Sequence, residues 1–117
     1  MMRVCQYAAL LTAGLLILAV YPAEGQVRFK HLGKEEGLSS LSVSSIAQDS
    51  RGFLWFATQS GLNRYDGYEF EVLRNKPFDS NSLSHDLIQT MYMEEERGIL
   101  WIGTYQGLNR YDIEEQT

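Results

Sequence analysis

The chain writes one sixteen-residue phrase twice. "RGFLWFATQSGLNRYD" (Arg51 to Asp66) returns as "RGILWIGTYQGLNRYD" (Arg97 to Asp112), and the two agree without gaps at 11 of 16 positions. Self-similarity at a fixed spacing marks a structural unit that cannot bury its own faces and stacks on its neighbours. The match extends upstream, at an offset of 45 before the run Glu94-Glu95-Glu96 and 46 after it, so one residue is inserted at that point. The unit is therefore about 45 residues long, the length of a four-stranded propeller blade.

The residues of the first copy spell out four short strands. "VSSIAQD" (Val43 to Asp49) contains β-branched residues and ends in the turn "DSRG". "FLWFAT" is dense in strand formers. "QSG" is a turn with Gly61 supplying its backbone freedom, "LNRY" a third strand, and Asp66-Gly67 a hairpin signal. "YEFEVLR" then alternates Tyr68, Phe70 and Val72 with Glu69 and Glu71, the period-two pattern of a half-solvated outer strand. Together these predict an antiparallel meander. In the second copy Val43 and Ile46 correspond to Ile88 and Met91, Trp55 to Trp101, and Tyr65 to Tyr111.

The Trp strands are apolar on both faces, Phe53, Trp55 and Ala57 against Leu54, Phe56 and Thr58, which asks for cover on both sides. Ala57 and Gly103 share a slot, where an adjoining sheet is expected to come close. The predicted fold class is all-β, with about two blades of an incomplete propeller following an N-terminal signal helix. An eight-stranded sandwich is the rival. The expected organisation is a signal peptide over 1–25, an outer strand of a preceding blade over 26–36 ("VRFKHL", with Val27 and Phe29 in the slots of Tyr68 and Phe70), a first blade over 37–74, and a linker with a truncated second blade over 75–117. Two blades cannot close a ring of the usual four to eight. The open stack leaves apolar faces and a strand edge uncovered, an aggregation liability.

The first residues set the compartment. Arg3 precedes an apolar run from Ala8 to Val20, and "PAEG" follows, with Ala23 and Gly25 as small residues before a cut ahead of Gln26. The run is 13 residues, against the ~20 that span a bilayer, so export with cleavage is expected and an uncleaved anchor is the alternative. Cys5 precedes the run, so a cleaved product holds no cysteine, no disulfide and no thiolate metal site. From Gln26 onward there are 9 Lys or Arg against 14 Asp or Glu, and this acidic balance with no basic stripe argues against nucleic acid. Neither a Gly-rich phosphate loop, a nucleophile elbow nor a His-based metal pattern is written here, so no catalytic residue, cofactor or metal is expected. The triplet Glu94 to Glu96 reads as a solvated loop tip.

"EEGLSSLSVSSIAQDSRGFLWFATQSGLNRYDGYEF" resembles the two-component regulator propeller repeat. Gly37-Leu38-Ser39, Val43, Ile46, Asp49, Gly52, Trp55, Gly61-Leu62, Arg64, Tyr65 and Asp66 fill that family's slots in order. The second copy departs at Glu94 for Asp, at the inserted residue, and in the missing Asp-Gly hairpin. The resemblance implies a fragment of the periplasmic, ligand-sensing propeller of a hybrid two-component histidine kinase, its parent anchored in the inner membrane, the chain itself non-catalytic. In gut bacteria it implies a glycan fragment as ligand. The implied partners are an oligosaccharide, the rest of the propeller and kinase chain, and a second parent molecule in a homodimer. A fragment of an exported propeller enzyme, of lyase or quinoprotein type, is the alternative, and inert product of a broken gene a third.

Residues present in both copies answer first to architecture. Trp55 and Trp101 are expected as packing anchors, Arg64 with Asp66 and Arg110 with Asp112 as a hydrogen-bonded pair repeated from blade to blade. Ligand contacts are sought where copies differ: Gln59-Ser60 against Tyr105-Gln106, between second and third strands, and the link Arg74 to His85. Tyr105 and Gln106 offer a ring to stack on a sugar and an amide for its hydroxyls.

Overall fold

The computed structural model describes residues 25–117, so the expected signal helix and Cys5 lie outside the described residues. The two copies of the repeated phrase form two antiparallel sheets. The first is β1 (Val43–Gln48), β2 (Leu54–Thr58), β3 (Gly61–Tyr65) and β4 (Phe70–Leu73), paired in that order. The second is β5 (Ile88–Glu94), β6 (Ile99–Thr104) and β7 (Gly107–Asp112), also in sequence order and without a fourth strand among the described residues. The all-β reading and the meander blade hold for both copies.

Register repeats as faithfully as sequence. Trp55 lies opposite Ala47 and Arg64, and Trp101 opposite Tyr92 and Arg110. Both first strands slip by one residue at the same place, between Val43 and Ser45 and between Ile88 and Thr90. Such a bulge sharpens the local twist. Gly61 opens β3 at φ 120, and a Cβ there would stand 2.8 Å from the Leu73 carbonyl oxygen. Two requirements thus exclude a side chain at that hairpin: backbone handedness and the approach of β4.

Alternation gives each blade two faces. The forward face of the first blade carries Trp55, Ala57 and Leu62, with Ala47 and Leu73 at its margin; it packs on the rear face of the second, which carries Ile88, Met91, Leu100 and Ile102. Trp55 and Tyr111 meet across this interface at 5.5 Å between ring centroids. Two serines stitch it nearer the first strands, Ser44 Oγ donating to the Ile88 carbonyl (3.0 Å) and Ser45 Oγ to that of Met91 (3.4 Å). The core is therefore the seam between blades, as expected of units that stack face to face.

Two expectations need correction. Residues 25–33 contain no strand, and Lys34–Glu36 forms a 3-10 turn whose Glu36 carboxylate accepts the Gly33 N–H (2.7 Å). An outer strand exists only when its backbone has an edge to pair with. β3, the outer neighbour such a strand would need on the first sheet, is already paired on both sides. Tyr68 stands outside β4, because the Asp66 carboxylate accepts the N–H groups of Tyr68 and Glu69 (both 2.8 Å) and holds a longer turn; the strand starts at Phe70, stacked on Tyr65. Ala57 is buried in the seam against the adjoining blade, while at Gly103, in the same slot on a face that no other described blade covers, an added Cβ would stand 2.8 Å from Thr90 of its own sheet.

Candidate functional site

The hairpin ends and the interblade link come together at one end of the blade pair. The hairpin Gln59-Ser60 is tied to the link: Arg74 Nε donates to the Ser60 carbonyl (2.9 Å) and the Gly61 N–H to that of Asp86 (2.8 Å). The link is ordered by its own polar groups. Asp86 accepts the Asn75 N–H (2.7 Å), Asn75 donates to the Leu83 carbonyl (2.8 Å), and Ser82 Oγ accepts the Lys76 N–H (2.8 Å). From the second blade the Tyr105 N–H donates to the Leu87 carbonyl (3.0 Å), and the Tyr105 ring lies 5.6 Å from that of His85. Ser60, Arg74, His85, Asp86 and Tyr105 are thus gathered, with the Tyr105 ring and Gln106 exposed beside them. Gln59 is exposed on the neighbouring hairpin. A concave volume of about 470 Å³ adjoins the same link, between β4 and β7, lined by Leu73, Arg74, Ser82, Ile102, Arg110 and Tyr111.

A polar network supports each hairpin and is the same in both copies. Ser39 N–H donates to Asn63 Oδ1 (2.9 Å), Asn63 Nδ2 to Ser39 Oγ (2.7 Å), and Ser39 Oγ meets Thr58 Oγ1 at 2.9 Å. Thr58 Oγ1 in turn accepts the Ser60 N–H (3.0 Å) and donates to the Gly61 carbonyl (2.8 Å). In the second blade Ser84, Asn109, Thr104, Gln106 and Gly107 take those places, with distances from 2.7 to 3.1 Å. Sequence reasoning did not single out Asn63, Asn109, Thr58 or Thr104. Their identity in both copies was the available signal. Because donors and acceptors close on one another, the hairpin tip is held rigidly while its outward residues are free to differ.

The Trp residues are fixed through their ring nitrogens. Trp55 is buried, and its indole N–H donates to Asp49 Oδ2 (2.9 Å), while Asp49 Oδ1 accepts the N–H groups of Arg51 (2.9 Å) and Phe53 (3.0 Å). Trp101 donates to Glu94 Oε2 (3.0 Å). The longer Glu side chain thus takes over the Asp role where the residue is inserted. Arg97, through its side-chain hydrogen bonds, and then the Trp101 N–H hold the Glu94 carboxyl below the usual carboxylate range. Arg64 and Asp66 do not form the expected pair. The Arg64 guanidinium crosses to Glu71 on β4 and lies over the rings of Phe53 and Trp55, while Asp66 serves the turn. The N–H groups of Glu69 and Tyr68 hold the Asp66 carboxyl low. Arg110 has no β4 counterpart to cross to and reaches Asp112 at 3.8 Å; Asp112 also accepts the N–H groups of Glu114 and Glu115.

Residues 37–60 match a protein family described as two component regulator propeller. A histidine kinase of Formosa agariphila is 48% identical over 56 residues, which are 48% of this chain and 4% of that protein. The crystal structure of the extracellular domain of a hybrid two component system from B. thetaiotaomicron superimposes with a TM-score of 0.70 at 40% identity, over 75% of this chain and 12% of that one. The chain spans a small part of the length of either relative.

Proposed function

Because residues 37–60 match the two component regulator propeller family, we propose that this chain is part of an exported, ligand-sensing propeller serving a hybrid histidine kinase. The observation that carries the reading is the 0.70 superposition, at 40% identity, on an extracellular domain of a hybrid two component system. The chain acts by binding and not by catalysis: its closed polar networks spend their donors and acceptors on holding hairpins, which leaves presentation of variable tips as the chemistry on offer. The tip of the second blade suits an oligosaccharide. Tyr105 offers an exposed ring face beside His85, and Gln106 an amide, the pairing of stacking surface and hydrogen-bonding group that a sugar needs. Gln59 and Ser60 offer the same hairpin position on the adjoining blade.

Reading the gene beyond Thr117 tests the sensor against an exported propeller enzyme. Further blades followed by a membrane span and a kinase support the sensor, whereas blades ending in a catalytic cluster overturn it. In the assembled parent, Tyr105→Ala is expected to lower the signalling response to an oligosaccharide at least tenfold and leave the protein level unchanged. An unchanged response removes Tyr105 from the site.

A further inference from the structure

The link between the blades holds one residue in a backbone state that its side chain disfavours. Phe78 has φ 68, and the Asp79 N–H donates to the Lys76 carbonyl (3.1 Å), so Lys76-Pro77-Phe78-Asp79 is a turn with proline second and a positive φ third. That is the type II arrangement, whose third place ordinarily goes to glycine or asparagine. The surrounding groups lock it. Pro77 fixes its own φ, the Ser82 N–H donates to the Asp79 carbonyl (3.2 Å), Ser82 Oγ accepts the Lys76 N–H (2.8 Å), and Asp79 Oδ1 accepts the Asn81 N–H (3.0 Å). The Phe78 side chain is wholly exposed, so burial within the chain does not offset the strain. Strain held in a rigid segment without such an offset points to a use outside the chain. Lys76, Asp79, Asn81 and Ser82 line the concavity between β4 and β7, and Phe78 is not among its lining residues. A further strand laid beside β7 would meet those four, so the exposure of Phe78 does not depend on it.

We propose that the Pro77-Phe78 turn is a stacking platform for a pyranose unit of a β-linked glucose oligosaccharide. The platform extends the oligosaccharide reading above and rests on it. A phenyl ring has no donor or acceptor, so what it offers is a flat face with negative charge density above it. Glucose in β linkage matches that face, because its hydroxyls are equatorial and its axial C–H groups form a weakly positive, apolar surface. The surroundings favour a sugar over a protein partner. Lys76, Asp79, Ser80 and Asn81 are exposed and polar, with Pro77 the apolar neighbour, whereas an aromatic anchor in a protein interface sits in a well-packed, desolvated pocket. A sugar needs the reverse, an apolar ring face with polar groups about it for the hydroxyls. The rigid turn lowers the cost of binding, since the backbone that carries the ring is ordered before the ligand arrives. Phe78 is then a second aromatic contact, carried by the link, where Tyr105 is the one on the hairpin tip.

Isothermal titration calorimetry of the full chain with cellohexaose and with laminarihexaose tests it. The wild type is expected to bind at least one of the two. Phe78→Gly is expected to bind about fivefold more weakly or worse, and Phe78→Tyr, which keeps the ring, to stay within about twofold of the wild type. Thermal unfolding separates this role from packing. Glycine adopts the positive φ without strain, so Phe78→Gly is expected to keep or raise the wild-type midpoint. A midpoint lower by more than about 4 °C would show that the ring packs within the folded protein, and overturns the proposal. Unchanged affinity in Phe78→Gly also overturns it, and a loss of affinity in Tyr105→Ala beside it shows that the oligosaccharide reading still stands. If neither hexasaccharide binds the wild type, the proposal falls, and the signalling response of Tyr105→Ala decides the wider reading on its own.

Discussion

The first blade and the second are written in nearly the same letters and buried in opposite ways. Trp55 lies in the core, and Trp101, with the same strand register and the same indole-to-carboxylate bond, is half-exposed. The reverse holds on the other face, where Ile102 is buried and Phe56, in its slot, is half-covered. Strand register and most of the hydrogen bonding are shared across the pair, while the neighbour changes. The burial of a repeat residue, and so its energetic worth, is decided by whether a blade stands in front of it. Each blade is thus built for neighbours on both sides, which is why both faces of β2 and β6 are apolar.

The largest test of that difference is at the Trp pair. Trp55→Ala is expected to cost about 3–5 kcal/mol, the loss of a buried aromatic with a cavity left behind. Trp101→Ala is expected to cost about 1 kcal/mol, as a half-covered side chain does. Urea unfolding of the two variants measures both. Equal losses would break the comparison. Next in size are the leucines: Leu62→Ala at about 2–4 kcal/mol and Leu108→Ala within about 0.5 kcal/mol, measured the same way.

A smaller difference is expected at the polar network. Asn63 is buried and Asn109 half-buried in otherwise identical Ser–Asn–Thr arrangements. Asn63→Ala strands the Ser39 N–H and part of the Thr58 network away from water, at about 2 kcal/mol; Asn109→Ala leaves its partners closer to solvent and costs about 1 kcal/mol or less. Amide hydrogen exchange at Ser39 and Ser84 reads the two sites separately. Faster exchange at Ser84 than at Ser39 in the wild type is the expected baseline, and the reverse order would break the argument.

Much of this architecture was legible because the phrase occurs twice. Spacing, turn residues and the two-faced Trp strand led to meander blades, and the shared register of Trp55 and Trp101 follows from their alignment. What escaped was set by partners that a linear pattern does not identify. The match of "VRFKHL" to the fourth strand, with Val27 and Phe29 in the slots of Tyr68 and Phe70, predicted an outer strand, yet strand formation needs an open edge to pair with. Arg64 and Asp66 share a strand face and read as a pair, but Glu71 on the adjoining strand is directly across from Arg64, and Asp66 has two backbone N–H groups nearer to hand. The hairpin residues Gln59, Ser60, Tyr105 and Gln106 were chosen because the copies differ there. The network beneath them, where the copies agree, was passed over because Asn and Thr within strands carry no strong signal of their own.

The smallest expected effect concerns the carboxylate that differs between the blades. Glu94 replaces Asp49 as acceptor of the Trp indole N–H, and it gains Arg97 as a second partner across the turn. Both contacts favour the ionised form, Arg97 first and Trp101 second, so the folded pKa lies below the ordinary carboxylate range. With the folded value depressed, the stabilisation is fully present above the unfolded pKa and is lost as pH falls through the folded one. Removing either partner should therefore raise the folded Glu94 pKa toward its unfolded value, which makes the loss smaller and completes it at a higher pH. Arg97→Gln is expected to raise that pKa more than Trp101→Phe, because the guanidinium contributes hydrogen bonds and charge, whereas the indole contributes one neutral donor. Carboxyl-carbon NMR titration of Glu94 in the two variants gives the order directly. A larger rise in Trp101→Phe would mean that the turn at Arg97 is held by something other than Glu94, and the second blade's extra residue would then need a different explanation.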